Sequence, residues 1–389
     1  MKKQMTALLI VLILVSASQV WALSEGAVLF LMISPGARAA GMGEAFVAMA
    51  DDATASFWNP AGLAFTKGNE VTIMHANWLP QLVSDMYYDF VGGRSYMDAL
   101  GGTLGGNITF LNLGENVYTS EFGDELGRFN SYDMAVTLSY GTMVEKTTGL
   151  GVSMRYIRSM LAPSWVEVGS QKGSGSASAF AVDLGVLHKF KFLKGLAVGA
   201  NLSNMGPKVT YIQASQADPL PTNLKLGFSY RIMDTEFNKL TIAMDTNKQL
   251  IYKFWQGVDG TDRAGEKLSH EEYMEIKEQE EDLPEDQKES NKFESQSDPF
   301  YKAIFTAWTD GSFSEQLKRM DSSIGIEYVY NNMIAMRAGY YYDQDGHVKY
   351  PSFGAGLKYN MFQFDFAYIA AEEGHPLSDT MRFSLSAAF

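Results

Sequence analysis

The sequence predicts an all-β protein: a transmembrane antiparallel β-barrel of about fourteen strands, with an N-terminal segment that serves as a plug. Three observations lead to this fold. Apolar and polar residues alternate in one stretch after another from residue 69 to residue 389, charged residues keep to one side of the alternation, and long connections alternate with short ones. Successive side chains of a strand point to opposite faces, so this alternation indicates strands with one apolar and one polar face.

The alternation is clearest in the C-terminal third of the chain. Phe362, Phe364 and Phe366 fall on one face of a strand, whereas Gln363 and Asp365 fall on the other. Similar stretches predict strands near residues 71–78, 85–95, 102–112, 133–140, 150–156, 180–186, 196–203, 224–231, 240–245, 323–330, 334–340, 353–359, 362–368 and 381–389.

The connections between these strands predict how they are arranged. Short turns are expected near residues 98–101, 143–147, 191–194, 234–238, 331–332 and 360–361, and longer connections at 79–84, 113–130, 161–177, 205–220 and 249–321. Strict alternation places all long connections at one end of the sheet. This is the loop asymmetry of an outer-membrane barrel, which has short periplasmic turns and longer extracellular loops.

The charges separate a membrane barrel from a soluble β-sandwich or propeller, which also shows alternation and turns. A soluble sheet would turn its polar face to water, whereas here the opposite face is nearly free of charge. In a barrel the apolar face meets lipid and the charges line the interior. The residues expected to point inward are Arg155, Asp183, Lys225, Arg231, Glu327, Arg337, Lys358, Asp365 and Arg382.

The last strand, in "SDTMRFSLSAAF", is expected to pair with the first strand and close the barrel. Phe383, Leu385 and Phe389 lie on its apolar face. A terminal phenylalanine in an alternating strand is similar to the C-terminal signal that the outer-membrane insertion machinery reads. We therefore interpret these three residues as the barrel-closing signal.

The N-terminal part of the chain does not alternate. Residues 1–22 combine two lysines, an apolar run too short for a typical membrane span and a small-residue exit, which predicts a secretory signal peptide, with a retained anchor as the alternative. Residues 23–68 are rich in small residues and predict a plug at the barrel mouth. Its motif residues are Gly41, Gly43, Asn59, Pro60 and Gly62, and the "NPAG" stretch has the composition of a turn.

The connection 249–321 is an acidic insertion. Residues 259–298 contain fifteen acidic and five basic residues, a net charge of −10 out of −14 for the whole chain. The insertion is one of the long connections, so it is expected at the end of the barrel that faces outside the cell. It is expected to be either a solvated loop with a short helix at 270–282 or a docking loop for a partner. Four aromatic residues that a purely solvated loop would not need mark the candidate docking site: Phe300, Tyr301, Phe305 and Trp308.

The sequence contains no recognisable catalytic constellation. There is no cysteine, which excludes disulfides and thiolate metal sites, and the histidines lack metal-ligand spacing. The acidic balance opposes nucleic-acid binding. We therefore expect a protein that is not an enzyme, with no cofactor, no metal and no nucleic-acid partner.

Several stretches resemble the PorV/PorQ group of outer-membrane proteins, relatives of the FadL-type fatty-acid channels. They are "GARAAGMGEAFVAMADDATASFWNPAGLA" (36–64), "SFSEQLKRMDSSIGIEYVYNNMIAMRAGYYYD" (312–343), "FGAGLKYNMFQFDFAYIAA" (353–371) and "HPLSDTMRFSLSAAF" (375–389). The resemblance covers most of the chain after residue 22 and implies a FadL-like barrel of fourteen strands. It also implies a location in the outer membrane of a Gram-negative bacterium.

Two functions follow from the resemblance as expectations. The first is a component of the type IX secretion system, which binds secreted cargo through its C-terminal sorting domain and passes it from the translocon barrel to the surface sortase. The second is a FadL-like channel for hydrophobic small molecules such as fatty acids. Charged residues at interior positions weigh against the second, since a hydrophobic ligand needs an apolar lining.

Overall fold

The computed structural model describes residues 26–389 except 121, 166–174, 212–216, 259–262, 270–271, 274–275, 277–292, 310 and 373–374. Its main element is a closed antiparallel barrel of fourteen strands, which confirms the fold predicted from the sequence. The predicted signal peptide, residues 1–22, lies outside the described residues, as does most of the predicted helix at 270–282.

The barrel strands follow one another around the wall in chain order. They are β1 (Asn69–Asn77), β2 (Tyr87–Met97), β3 (Gly102–Thr119), β4 (Glu125–Glu145), β5 (Thr148–Met160), β6 (Ser176–Lys189), β7 (Leu196–Met205), β8 (Asn223–Asp234), β9 (Asn238–Gln249), β13 (Asp321–Tyr330), β14 (Ile334–Asp343), β15 (Val348–Tyr359), β16 (Phe362–Ile369) and β17 (Thr380–Ala388). The strands β10 (Lys253–Gly257), β11 (Lys267–Leu268) and β12 (Phe293–Ser297) form a separate three-stranded sheet between β9 and β13.

The barrel closes where β1 pairs with β17. Ile73 lies opposite Leu385 in this pairing, and the ladder continues to the last residue, where Asn69 and Phe389 exchange two backbone hydrogen bonds of 2.9 Å. A lipid-exposed strand edge would leave backbone N–H and C=O groups without partners in hydrocarbon. The terminal strand thus removes the edge that a barrel open at this point would have.

Inward and outward faces alternate along every barrel strand. On β6, for example, Phe180, Val182 and Leu184 are exposed on the outer surface, whereas Ala181 and Asp183 between them are buried in the interior. The inward positions carry most of the charges that the sequence placed there, and the outward positions carry the apolar side chains that meet lipid. Arg231 and Lys358 lie at the short-turn mouth and keep contact with water.

One predicted connection is wrong. Residues 113–130 were expected to form a loop, but β3 and β4 continue through this stretch as a hairpin and leave only residues 120–124 as the turn. The extension lacks the regular alternation that marks the lipid-embedded parts. Backbone pairing continues the hairpin, and Trp165 packs against the rings of Tyr118 and Phe129 on one of its faces.

The remaining helices are short. The N-terminal segment, residues 26–66, contains α1 (Ala37–Ala40), α2 (Ala55–Trp58) and two 3₁₀ turns, Leu29–Met32 and Pro60–Phe65. The insertion contains α3 (Phe300–Thr306) and α4 (Phe313–Lys318). In the described part of the chain, no helix is long and apolar enough to cross a membrane.

Candidate functional site

The N-terminal segment contacts the inward face of strands around the barrel. The backbone N–H of Ala37 donates to Ser384 on β17, and that of Gly43 donates to Ser352 on β15, both at 2.9 Å. On the opposite side, Asp245 of β9 accepts from the N–H groups of Phe46 (2.6 Å) and Val47 (2.8 Å). These bonds satisfy backbone donors that would otherwise be buried without partners.

The segment reaches both ends of the barrel interior. Near its start, the N–H of Ala27 donates to Pro219 in the connection between β7 and β8, at the end where the long connections lie. Near its end, Thr66 contacts Thr103 at the start of β3, next to a short turn. The segment therefore extends from the long-connection end to the short-turn end before β1 begins.

The "NPAG" stretch is the turn that the sequence indicated, and Asn59 holds it in place. Asn59 is fully buried; its Nδ2 donates to the carbonyls of Val47 and Val186, and its Oδ1 accepts from Ala61 N–H, each at 3.1 Å. The next residue, Pro60, occupies the first position of a 3₁₀ helix, where its missing N–H costs nothing. One side chain thus joins two parts of the segment to the wall at β6.

Glycines allow the segment's backbone to touch the wall. A Cβ on Gly41 would come within 2.9 Å of the Cα of Gly354, and Gly43 adopts a positive φ of 63° beside Tyr340. A Cβ on Gly62 would overlap the carbonyl oxygen of Ala50, so this glycine serves contacts within the segment itself.

The wall has matching glycines at inward positions. They are Gly141, Gly149, Gly151, Gly185, Gly199, Gly227, Gly325, Gly339 and Gly354, and an added Cβ on each would meet the N-terminal segment at 3.1 Å or less. We missed this set in the sequence, although the signal was present as glycine on the polar side of the alternation.

Buried charges tie the segment to the wall more strongly. Glu327 of β13 accepts from Arg38 of α1 through both oxygens (2.9 Å each) and from Arg337 of β14 (2.7 Å), and Arg337 also donates to Asp365 of β16 (2.7 Å). Arg38 reaches Asp51 at 2.6 Å. Together with Asp52, 3.3 Å from Arg38, two guanidinium groups and four carboxylates thus form one chain of ion pairs that joins the segment to β13, β14 and β16.

Further polar groups cross the interior. Arg382 of β17 pairs with Glu44 at 3.2 Å, and Arg155 pairs with Asp183 at 2.8 Å while donating to Asn204. Lys225 lies 4.8 Å from the ring centre of Phe57, the geometry of a cation–π contact.

The short-turn mouth opens into water. Three cavities of about 230, 260 and 230 Å³ lie there, and Arg38 and Asp51 border all of them. Asp52 accepts from Thr54 N–H at 2.9 Å, a local cap, and lies 3.3 Å from Arg38. Burial raises the pKa of Asp52 to about 6, while the Arg38 guanidinium opposes that shift. The linings mix charged side chains with apolar ones such as Met49 and Leu187. The described residues offer no cluster of three or more acidic or histidine groups able to hold a metal ion.

The C-terminal residues that we interpreted as a closing signal lie on the outer surface. Phe383 and Leu385 are exposed on β17, and Phe389 is exposed at the short-turn rim beside β1. The ring of Phe383 packs beside that of Phe366 at 5.2 Å between centroids. All three side chains are therefore on the outside of the barrel.

The four residues of the predicted docking loop come together on α3 and the turn after it. Tyr301 and Phe305 are exposed on one face of the helix, Trp308 follows on the same side, and Phe300 is half-buried. The described part of the insertion is folded more than the sequence suggested, because β10–β12 pair as a sheet and Ser312 and Glu315 form a capping box at the start of α4.

The sequence profile described as "Type IX secretion system protein PorV" matches residues 17–254, more than half of the chain. The chain belongs to the PorV family. The match includes the N-terminal segment and β1 to β9, and it ends as the insertion begins. No curated relative matches the sequence.

Solved structures show the same fold as this member of the PorV family. A deltaS2 mutant of the monoaromatic hydrocarbon channel TodX is 13% identical with a TM-score of 0.51, over 92% of this chain and 99% of that chain. The toluene transporter TbuX of Ralstonia pickettii (12% identity, TM-score 0.46, 91% and 96% covered) and a FadL homologue of Pseudomonas aeruginosa (11%, 0.45, 92% and 98%) are also similar. The chain thus shares the barrel fold of the TodX channel, and the protein is an outer-membrane barrel of the PorV family.

Proposed function

We propose that this protein is the outer-membrane component of a type IX secretion system that binds cargo through its C-terminal sorting domain. It would receive the cargo from the translocon barrel and pass it to the surface sortase. The match of the PorV profile to residues 17–254 carries this proposal. The filled interior supports a binding role over a transport role, because ion pairs such as Arg38–Glu327 join the N-terminal segment to the inward face of the wall.

The N-terminal segment acts in this proposal as a permanent plug. Its fully buried residues, including Phe46, Asn59 and Trp58, are fixed by hydrogen bonds to strands on several sides of the barrel. A barrel closed in this way presents its loops and outer wall to partners without opening a path across the membrane. The long connections, including the acidic insertion 249–321, face the outside of the cell.

A deletion strain tests the proposal. Cargo with a C-terminal sorting domain should accumulate in the periplasm and disappear from the cell surface, and the full-length gene supplied in trans should restore it. Purification from the complemented strain should recover a sortase and a large translocon barrel with this protein. Normal secretion in the deletion strain would eliminate the proposal.

The channel for hydrophobic compounds makes the opposite prediction. Uptake of labelled fatty acids should then fall in the deletion strain while secretion continues. One of the mouth cavities has Arg231, Lys239 and Lys358 in its lining, which makes it a poor entrance for such ligands.

The terminal phenylalanine has a proposed role in assembly. Replacing Phe389→Ser keeps the backbone pairing with Asn69 but removes the exposed ring at the rim. We expect slower insertion and less folded barrel in the membrane, measured as the fraction that resists unfolding in detergent at room temperature. Phe122→Ser, at an exposed ring on the turn of the β3–β4 hairpin, is the matched control. Equal folded fractions in the two variants would refute the role of Phe389.

A further inference from the structure

The helical part of the insertion presents a stripe of large apolar side chains that the proposed function does not explain. It consists of Tyr301, Phe305, Trp308, Phe313 and Leu317, and we refer to it as the aromatic stripe. The relative exposures of these five residues are 65%, 74%, 41%, 79% and 52%. Tyr301 and Phe305 on α3, and Phe313 and Leu317 on α4, are each four residues apart, so each helix turns one apolar face outward.

Lys248 shows where these helices sit relative to the wall. In the ladder of β9, Met244 lies opposite Ile324 and both are exposed to lipid, and Lys248 has the same parity as Met244. Lys248 is nevertheless only 3% exposed. Its Nζ donates to Gln316 of α4 at 2.7 Å and lies 5.1 Å from the ring centre of Trp308.

An outward-facing lysine covered by α4 and Trp308 places this helical part against the outer surface of the barrel. It does not lie over the interior, where the N-terminal segment is. The aromatic stripe is therefore continuous with the lipid-facing wall of β9 and β13.

The height of Lys248 above the short turns agrees with the edge of the membrane. Ten residues separate it from Asn238 at the start of β9. At about 3.4 Å per residue and a tilt of about 40°, the climb is ~26 Å, close to the ~25 Å apolar band of outer-membrane barrels. The helices thus lie where hydrocarbon gives way to polar headgroups, the level at which aromatic residues form girdles.

The charges of α4 fit this placement. Around a helix of 3.6 residues per turn, Glu315 and Lys318 fall on the side opposite Phe313 and Leu317. Short amphipathic helices of this kind lie in the plane of the interface, with apolar residues in the acyl boundary and cations near anionic headgroups. Lys318 is exposed and able to meet such groups, whereas Lys302 of α3 pairs with Asp298 at 2.8 Å.

We propose that the aromatic stripe is a lipid-binding collar, which inserts into the membrane interface at the long-connection rim and binds phosphate-bearing lipid there. Under the orientation proposed above, that rim is in the outer leaflet. The collar would hold both ends of the insertion at the membrane surface beside β9 and β13. This inference depends on the barrel being in a membrane and not on its role in secretion.

Site-directed spin labelling tests the collar, because the chain has no cysteine and each introduced cysteine is unique. Labels at Phe305→Cys and Phe313→Cys are compared in full-length protein reconstituted in vesicles of phosphatidylethanolamine and phosphatidylglycerol. Met244→Cys is the lipid-facing control. Phe122→Cys is the water-facing control, because this ring is 93% exposed and the β3–β4 hairpin carries it far beyond the apolar band. Heat-modifiable migration on gels checks that each variant is folded.

Oxygen concentrates in hydrocarbon and a neutral nickel chelate stays in water, so the ratio of their collision rates with the label reports depth. We expect a ratio at positions 305 and 313 at least about threefold above that at 122 and approaching that at 244. A ratio equal to that at 122 would overturn the proposal and leave the stripe to a soluble protein partner. Protection from both reagents would also overturn it, because that result indicates a contact with a second protein chain.

Discussion

Replacing Glu327→Gln should loosen the N-terminal segment, because Glu327 is a wall carboxylate that forms a buried ion pair with the segment. Its side chain is 6% exposed and lies between Arg38 and Arg337, which are 18% and 2% exposed. The substitution keeps the size of the side chain but leaves two guanidinium groups facing a neutral amide. Removing one partner of a buried ion pair typically destabilises a protein by about 3–5 kcal/mol.

The expected loss here is smaller than that range. Arg38 keeps Asp51, and Arg337 keeps Asp365, so neither cation is left without a counter-charge. We therefore expect a loss of about 2–4 kcal/mol in the free energy of unfolding. With an m-value of about 2 kcal/mol/M, the urea midpoint should fall by about 1–2 M.

The assay is urea unfolding of the barrel reconstituted in lipid vesicles, followed by tryptophan fluorescence. Trp58 in the segment is fully buried, so its emission changes when the segment is released. Glu125→Gln is the matched control, because Glu125 pairs with Arg128 at 2.6 Å on the exposed hairpin and should change stability little. If Glu327→Gln and Glu125→Gln had the same midpoint, the ion-pair chain would not hold the segment in place.

Two further predictions concern the same region. Gly151→Ala should destabilise the protein by about 1–3 kcal/mol in urea unfolding, because the new Cβ would overlap the backbone of Pro60. Gly93→Ala is the control and should have little effect, because its new Cβ would lie 3.5 Å from the nearest atom. Equal losses of stability in the two variants would refute the close packing of the segment against Gly151. Burial raises the pKa of Asp52 to about 6 from an unfolded value near 3.8, so the folded state favours the protonated carboxyl. The contribution of Asp52 to the free energy of unfolding is therefore fully present below about pH 4 and is lost as pH rises through 6. The asparagine of Asp52→Asn does not titrate, so between pH 4 and pH 7 the free energy of unfolding of this variant should rise by about 1–3 kcal/mol relative to that of the parent protein. If the difference in unfolding free energy between the two proteins did not vary with pH, the raised pKa would be contradicted.

The barrel could be predicted because a membrane imposes a simple rule on each strand. Side chains alternate between lipid and interior, so β16, with its three phenylalanines outward and Asp365 inward, can be predicted from its own eight residues. The hairpin at residues 113–130 could not be predicted in this way. Its side chains do not follow the regular alternation of the lipid-embedded strands, and its conformation depends on backbone pairing with the adjacent strand and on the packing of Trp165 against Tyr118 and Phe129.

The packing of the N-terminal segment could be predicted only in part. The glycines and the "NPAG" turn indicated a compact segment, since these residues constrain the local backbone. Its partners were not visible in the sequence, because Arg38 and Glu327 are separated by 289 positions and meet only once the barrel has closed. The contact of Gln316 with Lys248 could not be predicted either, because these residues also lie far apart in the sequence.

The position of residues 26–66 has a consequence for the order of assembly. A ring of fourteen hydrogen-bonded strands surrounds a chain segment that is anchored at both ends, by Ala27 to Pro219 and by direct continuity into β1. Its buried hydrogen bonds go to β17, β9 and β6, so its partners are together only when most of the wall is in place. We therefore expect the sheet to close around the segment, with β1 and β17 pairing once the segment is inside.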